Sequence, residues 1–423
     1  MIEPRILLIG YSGANNTGAE ALLLADIADI LQVFGPHVRI TIPALDPAQL
    51  RRYVGDIPNV RIERLPTIFF QKVHRLTHEH DLVMLVEGSA YMDTWTSALL
   101  WYFLWATRCA AADEVPCLAY AVDAGELQPR NVRLVRRYAS RTNLIVTRST
   151  AAAERLRSWG VDAPIEVTAD NALTFRPDPD DFGWLRNAWP EGGPAPVGIA
   201  AVDFSNWPVV VRPFGRAEDR YRWPYSFSRS PDRRRTSEHL AAGYARIADA
   251  VVQDAGRTVA LIGMEQLDEP LARAIHARMR NRDRARIFSS RALDASKMTV
   301  LLRSLGALVT SRYHAAILSM AAAVPMVAVG HDLRLRTLFD ELELAEAFVG
   351  PPADTDIRQD PSAIDAMLAT ASARLEGVVA APSDLAASLF AGHERHLRDA
   401  QRNRELLRAF ADAHGWGSER CAA

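Results

Sequence analysis

Cysteine is scarce: the chain of 423 residues has three, Cys109, Cys117 and Cys421. Their spacing fits no metal site, and their odd number argues against a disulfide framework, as suits a reducing cytosol. An excess of either charge is lacking too. Lysine and arginine number 49 against 51 acidic residues, a net charge of −2, so no bulk charge draws the chain to nucleic acid. Nor is there a long hydrophobic run. The most apolar window, Ala98–Ala106 ("ALLWYFLWA"), falls far short of the roughly 20 residues that span a bilayer, and Asp93 and Arg108 bracket it. It reads as a buried or peripheral helix in preference to one that docks on a membrane, and no membrane span is expected. The opening "MIEPRILLIG" has an acid and a proline where a targeting segment would be basic and then apolar. A cytoplasmic protein is the expectation.

What remains is ordinary globular composition, 49% hydrophobic and 24% charged, over a length that one core rarely holds. Short β-branched runs alternate with helical patterns. Strands are predicted at Arg5–Gly10, Val38–Ile42, Leu82–Val86, Cys117–Val122, Leu144–Thr147 and Ile165–Thr168. Leu23, Ile27, Ile30, Leu31 and Phe34 share one face of a helix, and Asn131–Ala139 and Thr150–Trp159 read as further helices. This is a βαβ series with a parallel sheet.

The stretch Arg176–Pro196, rich in proline, glycine and aspartate, suits a linker. The alternation restarts at Val197–Val202 and continues through strands at Thr258–Ile262, Arg286–Phe288, Ala307–Thr310 and Met326–Val329. Thr236 or Ser237 is expected to cap a helix that Gly256 closes. Two helices, Pro382–His393 and Leu397–His414, follow. The predicted fold is α/β, two Rossmann-like doubly wound domains facing a cleft. The expected boundaries are 1–178, a linker 179–196, a second domain 197–380 and C-terminal helices 381–423.

In such folds ligands sit beyond the carboxyl ends of the strands. After the first strand, "GYSGANNTGAEALL" (Gly10–Leu23) can turn tightly and cradle an anion at a helix N-terminus, or be a plain structural turn. Its glycines lack the dinucleotide spacing. Glu87, in "VEGSAYMD", is an acid/base group, a hydroxyl binder or a rim residue. Arg148 stands where a strand meets a helix; anion binding is the expectation and a salt bridge to a nearby acid the alternative. Asp170 reads as a cap or brace. In "TSRYHAAILSMAAAVPMVAV" (Thr310–Val329), Arg312 and His314 fall between a buried strand and a helix expected at Ala315–Ala323. Histidine titrates near neutral pH and can pass protons, and arginine holds anions. "GHDLRLR" adds His331, Asp332, Arg334 and Arg336. An anionic small molecule fits this set.

On these segments the chain resembles the polysaccharide pyruvyl transferase family. "GYSGANNTGAEALL" is similar to its N-terminal pattern at Asn16, Gly18 and Glu20. "TRSTAAAERLRSWGV" and "VTADNAL" resemble its arginine-centred segment and the following aspartate, and "TSRYHAAILSMAAAVPMVAV" its Ser-Arg-Tyr-His-Ala element. The resemblance implies a GT-B-like fold and a transferase that takes phosphoenolpyruvate as donor. Pyruvate is attached as a ketal across two hydroxyls of a glycan precursor and phosphate is released, in exopolysaccharide or cell-envelope biosynthesis. By that likeness His314 is the acid/base residue, Arg148 holds the donor's carboxylate or phosphate, and Arg312 supports the same anion. Substrate-binding candidates are Arg148, Arg312, Asn16, Gly18, Glu20, Gly88 and Arg334. No metal, nucleotide or redox cofactor is required. The expected partners are phosphoenolpyruvate and a sugar or glycan acceptor, without nucleic acid; a homo-oligomer is left open.

The chain departs from the family at "EGS" (Glu87–Ser89), where a triple glycine is usual, and at "AVDAGE" (Ala121–Glu126), where only Gly125 is kept. Glu87 and Asp123 thereby become candidates for binding an acceptor that bears an amine or a cation. Two other readings stand beside this one: a GT-B glycosyltransferase using a nucleotide sugar, with the acids of "GMEQLDEP" on ribose, and a non-catalytic anion- or glycan-binding relative.

Overall fold

Apolar runs of four to six residues become strands here because helices cover both faces of each sheet, so no alternation with polar residues is needed. The computed structural model describes residues 4–416 apart from 207–208, 215–219, 223, 228–230, 331, 352–356 and 358–359. His331, Cys421 and much of the arginine- and aromatic-rich stretch 208–235 lie outside the described residues. The chain divides into two units, Met1–Ala14, Ala19–Phe175 and Arg395–Ala423 against Asn15–Gly18 and Arg176–Glu394.

In the first unit seven parallel strands, β1 Arg5–Ile9, β2 Arg39–Ala44, β3 Val60–Arg64, β4 Leu82–Leu85, β5 Cys117–Val122, β6 Leu144–Thr147 and β7 Ile165–Val167, run in the order β3-β2-β1-β4-β5-β6-β7. Along β1, Ile6 and Leu8 enter one core and Leu7 and Ile9 the other, the alternation a pleated strand imposes. The first core takes Leu23, Ile27 and Ile30 of helix Thr17–Phe34, with Leu407 and Phe410 of the C-terminal helix. The second takes helices Phe70–His78, Ser97–Ala112, Pro129–Ala139 and Thr150–Ser158.

The second unit adds β8 Val197–Ala200, a small antiparallel sheet of β9 Val210–Val211, β10 Arg220–Arg222 and β11 Tyr225–Ser226, then β12 Val259–Gly263, β13 Ala285–Ser289, β14 Ala307–Thr310, β15 Met326–Val329 and β16 Phe348–Val349. Its main sheet is parallel in the order β13-β12-β8-β14-β15-β16. Both main sheets thus reverse direction beside their first strand, and that switch point is where a doubly wound sheet opens a crevice. Residues 176–196 form short turns and a helix, Trp184–Ala188. They belong to the second unit and pack within it through Trp189 against Phe288 and a Trp184 Nε1 bond to the Lys297 carbonyl.

Three helix ends differ from the sequence reading. Helix Pro231–Ala255 starts before Thr236, which is buried inside it; a proline's fixed φ suits a helix start better than its interior. Ser383–Ala413 is one helix, since the lone Gly392 weakens a helix without ending it. The helix after β14 runs Tyr313–Met320, so His314 lies in its first turn rather than ahead of it.

Buried hydrogen bonds tie the C-terminal helix to the first unit. Asn403 Nδ2 donates to the Ala169 carbonyl (3.0 Å) and to Asn171 Oδ1 (3.3 Å), and Asn403 Oδ1 accepts from Thr168 Oγ1 (2.5 Å). Asn171 in turn donates to Asp26 (2.8 Å) and Asp29 (3.0 Å), and Tyr120 donates to Asp29 (2.9 Å). Asn403→Leu strands these buried partners, so chemical unfolding is expected to show a loss of about 2–4 kcal/mol; an unchanged midpoint would remove the helix from the core's support.

Candidate active site

In the second unit, the turn after β14 is locked to β8. Ser311 N–H donates to the Ala200 carbonyl (3.0 Å), and Ser311 Oγ accepts from Val202 N–H (2.7 Å). Arg312 follows as the N-cap of helix Tyr313–Met320, with its own N–H bonded to Thr310 Oγ1 (2.9 Å). Its guanidinium is met by two acids from the loop after β12. Nε donates to Asp268 Oδ2 (2.9 Å), Nη2 pairs with Asp268 Oδ1, and Nη2 lies 3.1 Å from Glu265 Oε2. Burial works against the charged form, yet Asp268 and Glu265 outweigh it and hold Arg312 charged well beyond its ordinary range. Burial likewise pushes the Asp268 carboxyl up while Arg312 pulls it down.

Residues 15–18 join this cluster. Thr17 N–H donates to the Met264 carbonyl (2.8 Å), and Asn16 forms an antiparallel bridge with Glu265. Gly18 lies directly against His314: a Cβ there would sit 2.2 Å from the imidazole Nδ1. Only glycine lets the ring approach so closely. The Tyr313 ring meets His314 edge-on at 5.2 Å, and the Arg334 guanidinium lies 5.8 Å over Tyr313 while paired with Asp332. Asn16, Gly18, Arg312, His314 and Arg334 are therefore brought together in this unit.

Glu20, Glu87, Gly88, Asp123 and Arg148 gather in the first unit, around its strand ends. Strand β5 carries one extra residue relative to β6 between Ala119 and Val122, and Ala121 takes a left-handed φ of 51°. Beyond this bulge, Arg148 N–H bonds to the Val122 carbonyl (2.9 Å), which sets Asp123 beside the arginine. Arg148 Nε donates to Asp123 Oδ2 (2.9 Å) and Nη1 to Asp170 Oδ2 (2.6 Å), and the side chain is 1% exposed. Gly88 leaves the space for this pair, because a Cβ would fall 2.3 Å from Arg148 Nη1. Glu87 accepts from the N–H groups of Tyr11 and Ser89, both at 3.3 Å. Glu20 is fully buried and accepts from Gly13 N–H (3.3 Å); burial pushes its carboxyl up to about 8.

Carboxylates thus exceed cations around Arg148, which suits groups that donate hydrogen bonds, such as sugar hydroxyls or an amine. Around His314 a helix N-terminus and an imidazole lie side by side, which suits an anion undergoing proton transfer. Among the described residues no group of three His, Cys, Asp or Glu side chains is arranged to hold a metal ion. The sequence reading missed Asp268, Glu265 and Asp170 as the counter-charges of the two arginines; acids just beyond the neighbouring strands were the available signal.

The pattern described as polysaccharide pyruvyl transferase matches residues 16–332. The chain belongs to the polysaccharide pyruvyl transferase family. It is a transferase, and the matched segment runs from Asn16 beside Glu265 to Asp332 beside Arg334. No match was found among curated proteins. Solved structures agree in fold with this family member. A putative UDP-N-acetylglucosamine 2-epimerase from Listeria monocytogenes superposes with a TM-score of 0.62 at 12% identity, covering 99% of this chain and 98% of that one. The UDP-N-acetylglucosamine 2-epimerase of Neisseria meningitidis gives 0.61 at 10% identity, covering 96% and 100%. Anabaena Alr3699/HepE, solved with UDP-glucose, gives 0.55 at 15% identity, covering 96% and 100%. At these identities the likeness shows a GT-B-like fold of two Rossmann-like units.

Because Glu20 holds its proton more tightly folded than unfolded, its contribution to stability is full below the ordinary carboxyl range and is lost as pH rises towards about 8. Urea midpoints of this pyruvyl transferase-family chain should fall over that window. Glu20→Gln should lessen the fall by roughly 4–5 kcal/mol; parallel pH curves for the two proteins would contradict the buried, protonated carboxyl.

Proposed function

We propose that the protein moves pyruvate from phosphoenolpyruvate onto two hydroxyls of a sugar in a glycan precursor. The observation that carries this reading is the His314 imidazole seated against Gly18 in the first turn of a helix capped by Arg312. His314 delivers a proton to the donor's methylene carbon, making a methyl group, while one sugar hydroxyl adds to the adjacent carbon and gives its own proton back to the imidazole. Phosphate then leaves with its electron pair. The second hydroxyl closes the ketal, and its proton goes to the departing phosphate. The donor's anionic groups face the helix N-terminus, where backbone N–H groups steady them, while Arg312, matched by Asp268 and Glu265, holds that turn in place.

Arg148 receives a different part from the one the resemblance implies. Enclosed between Asp123 and Asp170, it frames an acceptor wall on which Glu87 and Asp123 take hydrogen bonds from hydroxyls or from an amine. The excess of carboxylates there supports an acceptor carrying donors rather than a second anion. In this reading the reaction runs in the cytoplasm, during the building of surface polysaccharide.

His314→Ala should lower phosphoenolpyruvate-dependent phosphate release by about 10²–10⁴-fold with the melting temperature retained. Turnover at the wild-type rate would end the role given to His314. The same protein should be stabilised in thermal shift by phosphoenolpyruvate; stabilisation by UDP-sugars alone would favour a nucleotide-sugar transferase.

A further inference from the structure

On the first unit, helices Phe70–His78, Ser97–Ala112 and Pro129–Ala139 enclose a groove of about 260 Å³. Phe70, Trp101, Trp105 and Tyr138 line it together with Arg108 and Arg137. Phe70 and Trp101 are 41% and 37% exposed, and Ile68, just before the first of these helices, is 72% exposed. Large rings left at the surface are informative where they cluster with one sign of charge.

The rings are held in place. Trp105 Nε1 donates to the Phe70 carbonyl (2.8 Å), Trp101 Nε1 donates to Asn131 Oδ1 (3.2 Å), and Phe70 meets Trp105 edge-on at 5.2 Å. The Arg108 guanidinium lies 4.6 Å over Trp105, and that of Arg137 lies 5.5 Å from the Tyr138 ring. Both arginines remain exposed while their guanidinium groups lie against these rings, so positive charge and aromatic surface share one face.

The charge is one-sided. Residues 129–141 contain five arginines and no acid, and Arg108 is the one charged residue of 97–112. Arg130, Arg133 and Arg137 recur at three- and four-residue spacing and are exposed, so they form a stripe along one helix face. No helix among the described residues is long and apolar enough to cross a membrane.

We propose that this face docks on the surface of a bilayer rich in anionic phospholipid. The rings call for an apolar layer and the arginine stripe for an anionic one, and headgroups above acyl chains offer both in one plane. Docking would hold the protein at the membrane without a membrane-spanning helix, and it is independent of the reaction proposed above.

Vesicle co-sedimentation of the full chain tests this. The protein should pellet with vesicles containing one-third phosphatidylglycerol but not with phosphatidylcholine alone, and about 0.5 M salt should release it. Arg133→Glu with Arg137→Glu should weaken binding at least tenfold, and Phe70→Ser should weaken it with the salt dependence kept. Both variants alter exposed side chains, and an unchanged melting temperature verifies their folding. Failure to pellet, equal binding to both vesicle types, or full binding by the double variant would overturn the proposal. So would a wild-type oligomer in sedimentation velocity that the double variant dissolves, since the face would then pair with a second copy.

Discussion

A guanidinium taken out of water must find carboxylates, and both strand-end clusters are built on that requirement. Leaving such a charge unmatched costs several kcal/mol, more than a domain can readily lose. Arg312 is matched by Asp268 and Glu265, and Arg148 by Asp123 and Asp170. Each pair fastens a loop from one strand to a loop from another. The arginines therefore fix the loops before any ligand arrives, which is what a site needs if its reacting groups are to be held in place.

The sheet order supplies the pairs. In the second unit β14 and β12 flank β8, so the residues after them converge on its end; in the first, β5, β6 and β7 are consecutive neighbours, and Asp123, Arg148 and Asp170 follow them in turn. The same topology gives different chemistry in the two units because the accompanying residues differ. One cluster carries an imidazole at a helix N-terminus, and the other carries excess carboxylate with Glu20 held protonated near neutral pH.

Much of this was legible in the sequence. Four- to six-residue apolar runs marked strands such as Cys117–Val122, Leu144–Thr147, Ala307–Thr310 and Met326–Val329 at their observed bounds, because only a fully buried strand is so uniformly apolar. Arginine and histidine just past such strands marked the two clusters. The counter-charges were harder to see: Asp268 precedes Arg312 by 44 positions, and nothing local distinguishes it from a ribose-binding acid until β12 and β14 are known to flank one strand. The seat of His314 on Gly18 was hidden for the same reason, since a glycine read alone signals only a turn. Helix ends misled where a local cap signal competed with packing, as at Thr236.

His314 owes its setting to the turn that Arg312 anchors, so the Arg312–Asp268 pair is the point on which the account stands or falls. A double-mutant cycle for unfolding, with Arg312→Met, Asp268→Leu and the two combined, measures it directly. The account predicts that each single change costs about 3–5 kcal/mol and that the combined variant is no less stable than the worse single one. Additive losses would show that the two charges do not depend on each other, and would contradict it.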